Sequence, residues 1–429
     1  MDLWQLPVIE GPLPGATLAV AAALFIVVAV RRWRRRALIW ALASAGAGAV
    51  IGYLTCKIVS EAKVFGTLLP PFVWHWVVPV FAAVGFVLGA LQGTRAWRKV
   101  VSVAAAVAIL VAGALGVNLA FGLNPTLGSV VGVAQPEIEI PAVEASSAAP
   151  SQPLYQTWTP PAGMALIGKR GSQIIPATSS GFAARPAGIY LPPAALVKDP
   201  PALPLVIMMM GHPGTPDPTS ISSALDGFAA HHQGLAPIVI VPDQLGENVA
   251  DTACADSDAY GKARTYVTVD VVAWAKAHLN VIQDPAYWTI AGYSNGGGCA
   301  ITFGAQSPQL WKNILDISGE PYPGSEQPAN ITKIIYGGNA SAFEASKPVN
   351  ILAAAAPGSY QGMNAILTAG GADPEYIKGA DMLAKAAGAV GMNVVRYNVP
   401  GAGHTGDALK GGLAEGIRVL YPILGLSAP

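Results

Sequence analysis

Four stretches of this chain, residues 12–30, 37–56, 71–91 and 100–121, contain no Asp, Glu, Lys or Arg. Each has roughly the length that crosses the hydrocarbon core of a bilayer. In lipid, backbone N–H and C=O groups must find partners within the protein, and a helix of this length satisfies them within itself. Four transmembrane helices are therefore expected. Arg31, Arg32, Arg34, Arg35 and Arg36 follow the first run, and Arg95, Arg98 and Lys99 follow the third. The positive-inside rule makes both of these loops cytoplasmic and puts both termini outside. The loop between the second and third runs is weaker and mixed, with Lys57, Glu61 and Lys63. A cleavable signal peptide would carry its basic residues before the apolar core, whereas here they come after it.

Composition divides the rest. Residues 1–121 hold ten Lys/Arg against three Asp/Glu, and the remainder holds 15 against 22, so a +7 part precedes a −7 part. No basic patch or nucleic-acid motif stands out, so no nucleic-acid partner is expected. Residues 122–163 are rich in Pro, Ala, Ser and Gly, as in Ala145-Ser-Ser-Ala-Ala-Pro-Ser-Gln-Pro153. They read as a linker between a membrane domain, 1–121, and a globular domain, 164–429. In the globular part β-like and helix-like stretches alternate. Strands are expected at 188–191, 203–210, 237–241, 287–291, 313–317, 364–369 and 393–399. Helices are expected at 220–231, 263–278, 299–306, 376–387 and 405–420. This is an α/β pattern with a mostly parallel sheet and helices on both faces.

The chemistry centres on Gly292-Tyr-Ser-Asn-Gly296, a G-x-S-x-G run. It sits between the apolar stretch Trp288–Ala291 and a helix-like segment, so Ser294 should stand on a tight strand-to-helix turn. A serine hydroxyl needs a base to take its proton, and the base needs an acid to orient it. His404 is the only histidine C-terminal to Ser294. It follows the 393–399 strand, as Asp373 follows the 364–369 strand, both at carboxyl ends where open α/β sheets place their sites. Asp373 is the preferred acid, with Asp316 and Glu320 as competitors. Of two backbone oxyanion donors, one should be Asn295 N–H. The other should come from Gly211-His-Pro-Gly-Thr-Pro216, where Pro213 has no N–H and His212 is the better candidate, with Gly214 or Thr215 behind it. Neither a metal signature nor a dinucleotide or P-loop fingerprint occurs, so no metal and no cofactor are expected. Cys254 and Cys299 both fall in the part placed outside, where disulfides persist. They are expected to pair, the alternative being two buried free thiols.

Gly211-His-Pro-Gly214, the Gly292–Gly298 elbow, Ser318-Gly-Glu320, Gly370-Gly-Ala-Asp373 and His404 together resemble the putative-esterase branch of the α/β-hydrolases over roughly residues 165–425. That branch includes S-formylglutathione hydrolases, feruloyl and enterochelin esterases and mycolyltransferases. The resemblance implies an α/β-hydrolase fold and a serine hydrolase working through an acyl-serine. The membrane segments depart from the soluble members and point to an ester of a lipid or cell-envelope component, such as an acylated or aminoacylated lipid. The expectation is thus a membrane-anchored extracytoplasmic esterase. An acyltransferase using the same triad, and an inactive hydrolase fold serving as a membrane scaffold, are the alternatives. Oligomeric state is not legible.

Overall fold

The computed structural model describes residues 3–429 except 10, 63–68, 70, 93, 123, 142–149 and 248. Lys63, and the middle of the expected linker at 142–149, lie outside the described residues. The chain forms two compact units, Met1–Val130 and Val131–Pro429.

In the first unit four helices follow one another: α1 (Leu13–Ala29), α2 (Arg35–Glu61), α3 (Pro71–Gly89) and α4 (Ala96–Phe121). Helices α2, α3 and α4 are long and apolar enough to cross a membrane; α1 is equally apolar but only 17 residues long. It stops short of the expected run because Val30 turns extended just before the arginines. Many apolar side chains along α2 stay exposed, among them Ile39, Trp40, Val50, Ile51 and Leu54. Small residues line the α2–α3 seam. A Cβ on Gly48 would come within 2.2 Å of the Phe81 carbonyl, and one on Gly85 within 2.2 Å of the Ser44 carbonyl. With Gly52 and Gly89 these make a G-x-x-x-G pair in each helix, the spacing that lets membrane helices approach backbone to backbone. A short α5 (Leu127–Val130) ends the unit, and Thr126 bridges back to Pro7.

Part of the span expected as a linker is therefore structured. In the second unit Ile138 runs beside Ser172 and is fully buried, and Leu154 is buried at the start of α6 (Leu154–Thr157). Average composition hides such single apolar anchors.

The second unit is built on an eight-stranded sheet. Its strands are β1 (Lys169–Gln173), β2 (Ala187–Leu191), β3 (Leu205–Met209), β4 (Ile238–Val241), β7 (Trp288–Tyr293), β8 (Asn313–Ile317), β9 (Asn364–Gly370) and β10 (Asn393–Val399); β5 (Asp256–Ser257) and β6 (Gly261–Lys262) form a separate small hairpin. The order is β1-β2-β4-β3-β7-β8-β9-β10. The pairs of β2 with β1 and β4 are antiparallel, and the remaining pairs are parallel. Strands β2, β3, β4, β7 and β8 are buried along their whole length, as Val/Ile-rich strands covered on both faces must be. Helices α7 (Thr219–His231), α8 (Ala263–Thr265), α9 (Val271–His278), α10 (Asn295–Gln306), α14 (Pro374–Ala389) and α15 (Gly406–Ile423) accompany the sheet. Between β8 and β9 the chain inserts three short helices, α11 (Pro328–Ile334), α12 (Ala340–Ser346) and α13 (Pro348–Ala354). Ile331, Ile335 and Phe343 from this insertion pack with Ala253 in a small core of their own.

Strand order reverses at β3, with β4 on one side and β7 on the other. Where the order reverses, the loops beyond adjacent carboxyl ends diverge and leave room for a site. The loops after β3 and β7 meet there.

Candidate active site

Ser294 is the N-cap of α10 and has φ +56° and ψ −119°, a left-handed conformation that non-glycine residues rarely adopt. The turn is forced by crowding. A Cβ on Gly292 would lie 1.9 Å from the Gly296 carbonyl, and one on Gly296 would lie 2.2 Å from the Met209 carbonyl. Only glycine lets β7 turn into α10 this tightly against β3. Ser294 N–H donates to the Ile317 carbonyl, and its own carbonyl accepts from Gly298 and Glu320 N–H, so the strained residue is held on both sides.

Its Oγ lies 2.8 Å from His404 Nε2, hydrogen-bond distance. His404 Nδ1 stands 3.4 Å from Asp373 Oδ2. That is longer than an aligned hydrogen bond, and neither atom has a hydrogen-bond partner among the described residues. Tyr376 stacks on the imidazole at 3.9 Å between ring centroids, and Tyr293 stacks with it at 5.5 Å. The Tyr376 hydroxyl donates to Glu326 Oε1, and the Tyr293 hydroxyl donates to the Thr405 carbonyl. Burial pushes both tyrosine hydroxyls above their ordinary range, so both stay protonated donors.

The other expected residues fall as follows. Asn295 opens α10, so its backbone N–H belongs to the first helical turn and has no intrahelical acceptor. Gly211 passes so close over Ser294 that a Cβ there would be 3.2 Å from Ser294 Cβ. His212 follows, joined to Pro213 by a cis peptide bond, and its Nε2 meets the Val249 carbonyl at 3.1 Å. Cys254 is paired with Cys299, with 5.3 Å between their Cα atoms. The two competing acids go elsewhere. Asp316 is 1 % exposed and faces α10, 2.6 Å from where a Gly297 Cβ would stand; burial pushes its carboxyl up to about 7. Glu320 is 2 % exposed and receives the Asn295 side-chain amide rather than the imidazole. Burial and the neighbouring Asp251 push Glu320 well above the usual carboxylate range. Among the described residues, no group of three or more His, Cys, Asp or Glu comes together to hold a metal ion.

Tyr376, Gln244, Asp251 and Glu326 also belong to this neighbourhood and carry no motif. Gln244 had a signal available: Asp243-Gln244 is a polar pair just beyond the carboxyl end of a buried strand.

The chain has counterparts among known proteins. Residues 183–382 match the family described as Putative esterase. The chain is 33 % identical over 245 residues to an uncharacterized protein of Corynebacterium glutamicum, a match covering 56 % of this chain and 57 % of that one. The chain thus spans a little over half the length of this curated relative. Among solved structures it resembles a ferulic acid esterase at 15 % identity and a TM-score of 0.50, over 60 % of this chain and 99 % of that one. It also resembles an S-formylglutathione hydrolase from Agrobacterium tumefaciens at 18 % identity and a TM-score of 0.49, over 61 % and 97 %. The first of these likenesses shows an α/β-hydrolase fold.

Proposed function

We propose that the domain is a serine esterase in which Ser294 is the nucleophile, His404 the base and Asp373 the orienting acid. The observation that carries this reading is the 2.8 Å contact of Ser294 Oγ with His404 Nε2 on a left-handed turn. As Oγ attacks the ester carbonyl carbon, its proton passes to Nε2. The carbonyl oxygen becomes an oxyanion, which the N–H groups of Asn295 and His212 receive. Collapse releases the alcohol, which takes the proton from His404, and leaves an acyl-serine. Water then gives its proton to His404 and attacks the acyl carbon. The acid product leaves, and Ser294 recovers its proton. Asp373 holds the imidazole with Nε2 toward Ser294 and stabilises the imidazolium between steps.

The substrate we propose is an ester of a lipid or cell-envelope component, such as an acylated or aminoacylated lipid, met on the extracytoplasmic side. Helices α2, α3 and α4 support membrane anchoring. The arginines at 31–36 and 95–98 support an outward-facing domain by the positive-inside rule. One experiment tests chemistry and side together. A membrane-impermeant fluorophosphonate applied to intact cells should label the wild-type chain and not Ser294→Ala. Undiminished labelling of Ser294→Ala would remove the nucleophile assignment; labelling only after lysis would overturn the orientation.

A further inference from the structure

The residue after the nucleophile is buried, at 2 % exposure, yet polar. Its side chain is fully committed. Asn295 Nδ2 donates to Asp251 Oδ1 at 3.1 Å and to Glu320 Oε1 at 3.2 Å, and Oδ1 accepts from Gln244 Nε2 at 3.3 Å. Gln244 Nε2 donates its other proton to the Met210 carbonyl at 2.5 Å. Each amide nitrogen has two protons, and both are used in both residues.

These bonds join four separate parts of the chain. Asp251 and Gln244 come from the loop after β4, which the Cys254–Cys299 bridge also ties to α10. Asp251 Oδ1 is itself fixed by Ala253 N–H at 2.9 Å. Glu320 comes from the chain after β8, where its Oε2 accepts from Gly324 N–H at 2.8 Å and Ser325 N–H at 3.3 Å. Met210 ends the segment that leads into Gly211 and His212. Asn295 sits at the start of α10. The two backbone groups that would receive an oxyanion lie at either end of one short relay: Asn295, Gln244, Met210 carbonyl, His212.

We propose that the Asn295 side chain is a positioning residue that, through Gln244, sets the spacing between its own backbone N–H and that of His212. It does not touch the substrate, because its polar atoms already have partners. The requirement is narrow. The position needs two donors for two carboxyls and one acceptor for Gln244, carried on a stem short enough for the first helical turn. At neutral pH only asparagine supplies this; aspartate would set a third carboxyl against two others. Oxyanion donors act because they are aligned in advance, so a small misplacement is expensive in rate.

The inference rests on the esterase reading, and the test separates the two. An oxygen ester is compared with its thionoester, whose developing negative charge lies on sulfur and is held poorly by N–H donors. In the wild-type protein kcat/KM should favour the oxygen ester strongly. In Asn295→Ala, and in Gln244→Met, the preference should shrink by about tenfold or more, with the loss in kcat rather than KM, while a fluorophosphonate still marks Ser294. Should Asn295→Ala not fold, Gln244→Met answers alone, since it leaves both carboxyl bonds of Asn295 in place. An unchanged preference, with both esters slowed equally or not at all, would overturn the proposal and leave the esterase reading standing. Full labelling of Ser294→Ala would instead overturn the esterase reading.

Discussion

The two flanks of Ser294 are built in opposite ways. On the imidazole side, His404 is placed by one contact of 3.4 Å to Asp373 and by the faces of two tyrosines. On the amide side, Asn295 is gripped by three side chains, and a disulfide reinforces the loop that supplies two of them. The difference follows the work each side would do. A proton carrier must face first the nucleophile and then the leaving group, and stacked rings permit that small motion. Oxyanion donors must not reorganise at the moment charge develops. The same contrast separates the acids. Asp373 ends at an imidazole that can share its charge. Asp316 and Glu320 lie buried with no ion pair among the described residues, and their carboxyls are pushed upward.

The sharpest way to break the contrast is on the imidazole side. Asp373→Asn should lower kcat/KM by about ten-thousandfold, because an amide cannot stabilise the imidazolium. Asp316→Asn should be far milder; if it were the more damaging change, measured on any activated ester, the two acids would have to exchange roles. On the amide side the largest structural change is loss of the bridge. The double variant Cys254→Ala/Cys299→Ala should lose about 2–4 kcal/mol of unfolding free energy, read from denaturant titration. Its kcat should fall by less than Asp373→Asn costs, since the Asn295 hydrogen bonds remain. The smallest effect is on pH dependence. Asp316 has a folded pKa raised from 3.8 to about 7. The folded state therefore holds this proton more tightly, so the stability it confers is complete at low pH and is lost as pH rises from about 4 to 7. Asp316→Asn stays neutral throughout. Its melting temperature should match wild type near pH 4, exceed it near pH 8, and so show a flatter profile.

The sequence was legible wherever chemistry coincided with a strand end. All seven expected strands are present, and 313–317 and 393–399 have the expected bounds. Ser294, Asp373 and His404 each follow such a strand, and the structure brings them together. β1 was missed because Lys-Arg-Gly-Ser-Gln has no apolar alternation; it is the last strand of the sheet, paired with β2 and, on its other side, only by a short bridge from Glu137 to Ser172. Helices α11 to α13 were missed because each has only seven residues, too few to show a helical period. The Asn295 network was illegible for a different reason. Its members are distant in sequence, and a buried amide and a surface amide are the same letter. Its neighbour Cys299 could be read because cysteines are few enough to count.

The α2–α3 seam has a bearing on assembly. Lipid tails give two apolar helices no hydrophobic reason to meet, so what holds such a pair is the fit of one backbone against the other. Gly48 and Gly85 each lie where a single methyl group would collide with a carbonyl of the facing helix. If α2 and α3 cross a membrane, as their length and composition allow, the two segments can enter the bilayer separately and zip afterwards, like the halves of a fastener with matched teeth. Glycine to leucine at either position would leave insertion intact and jam the closing.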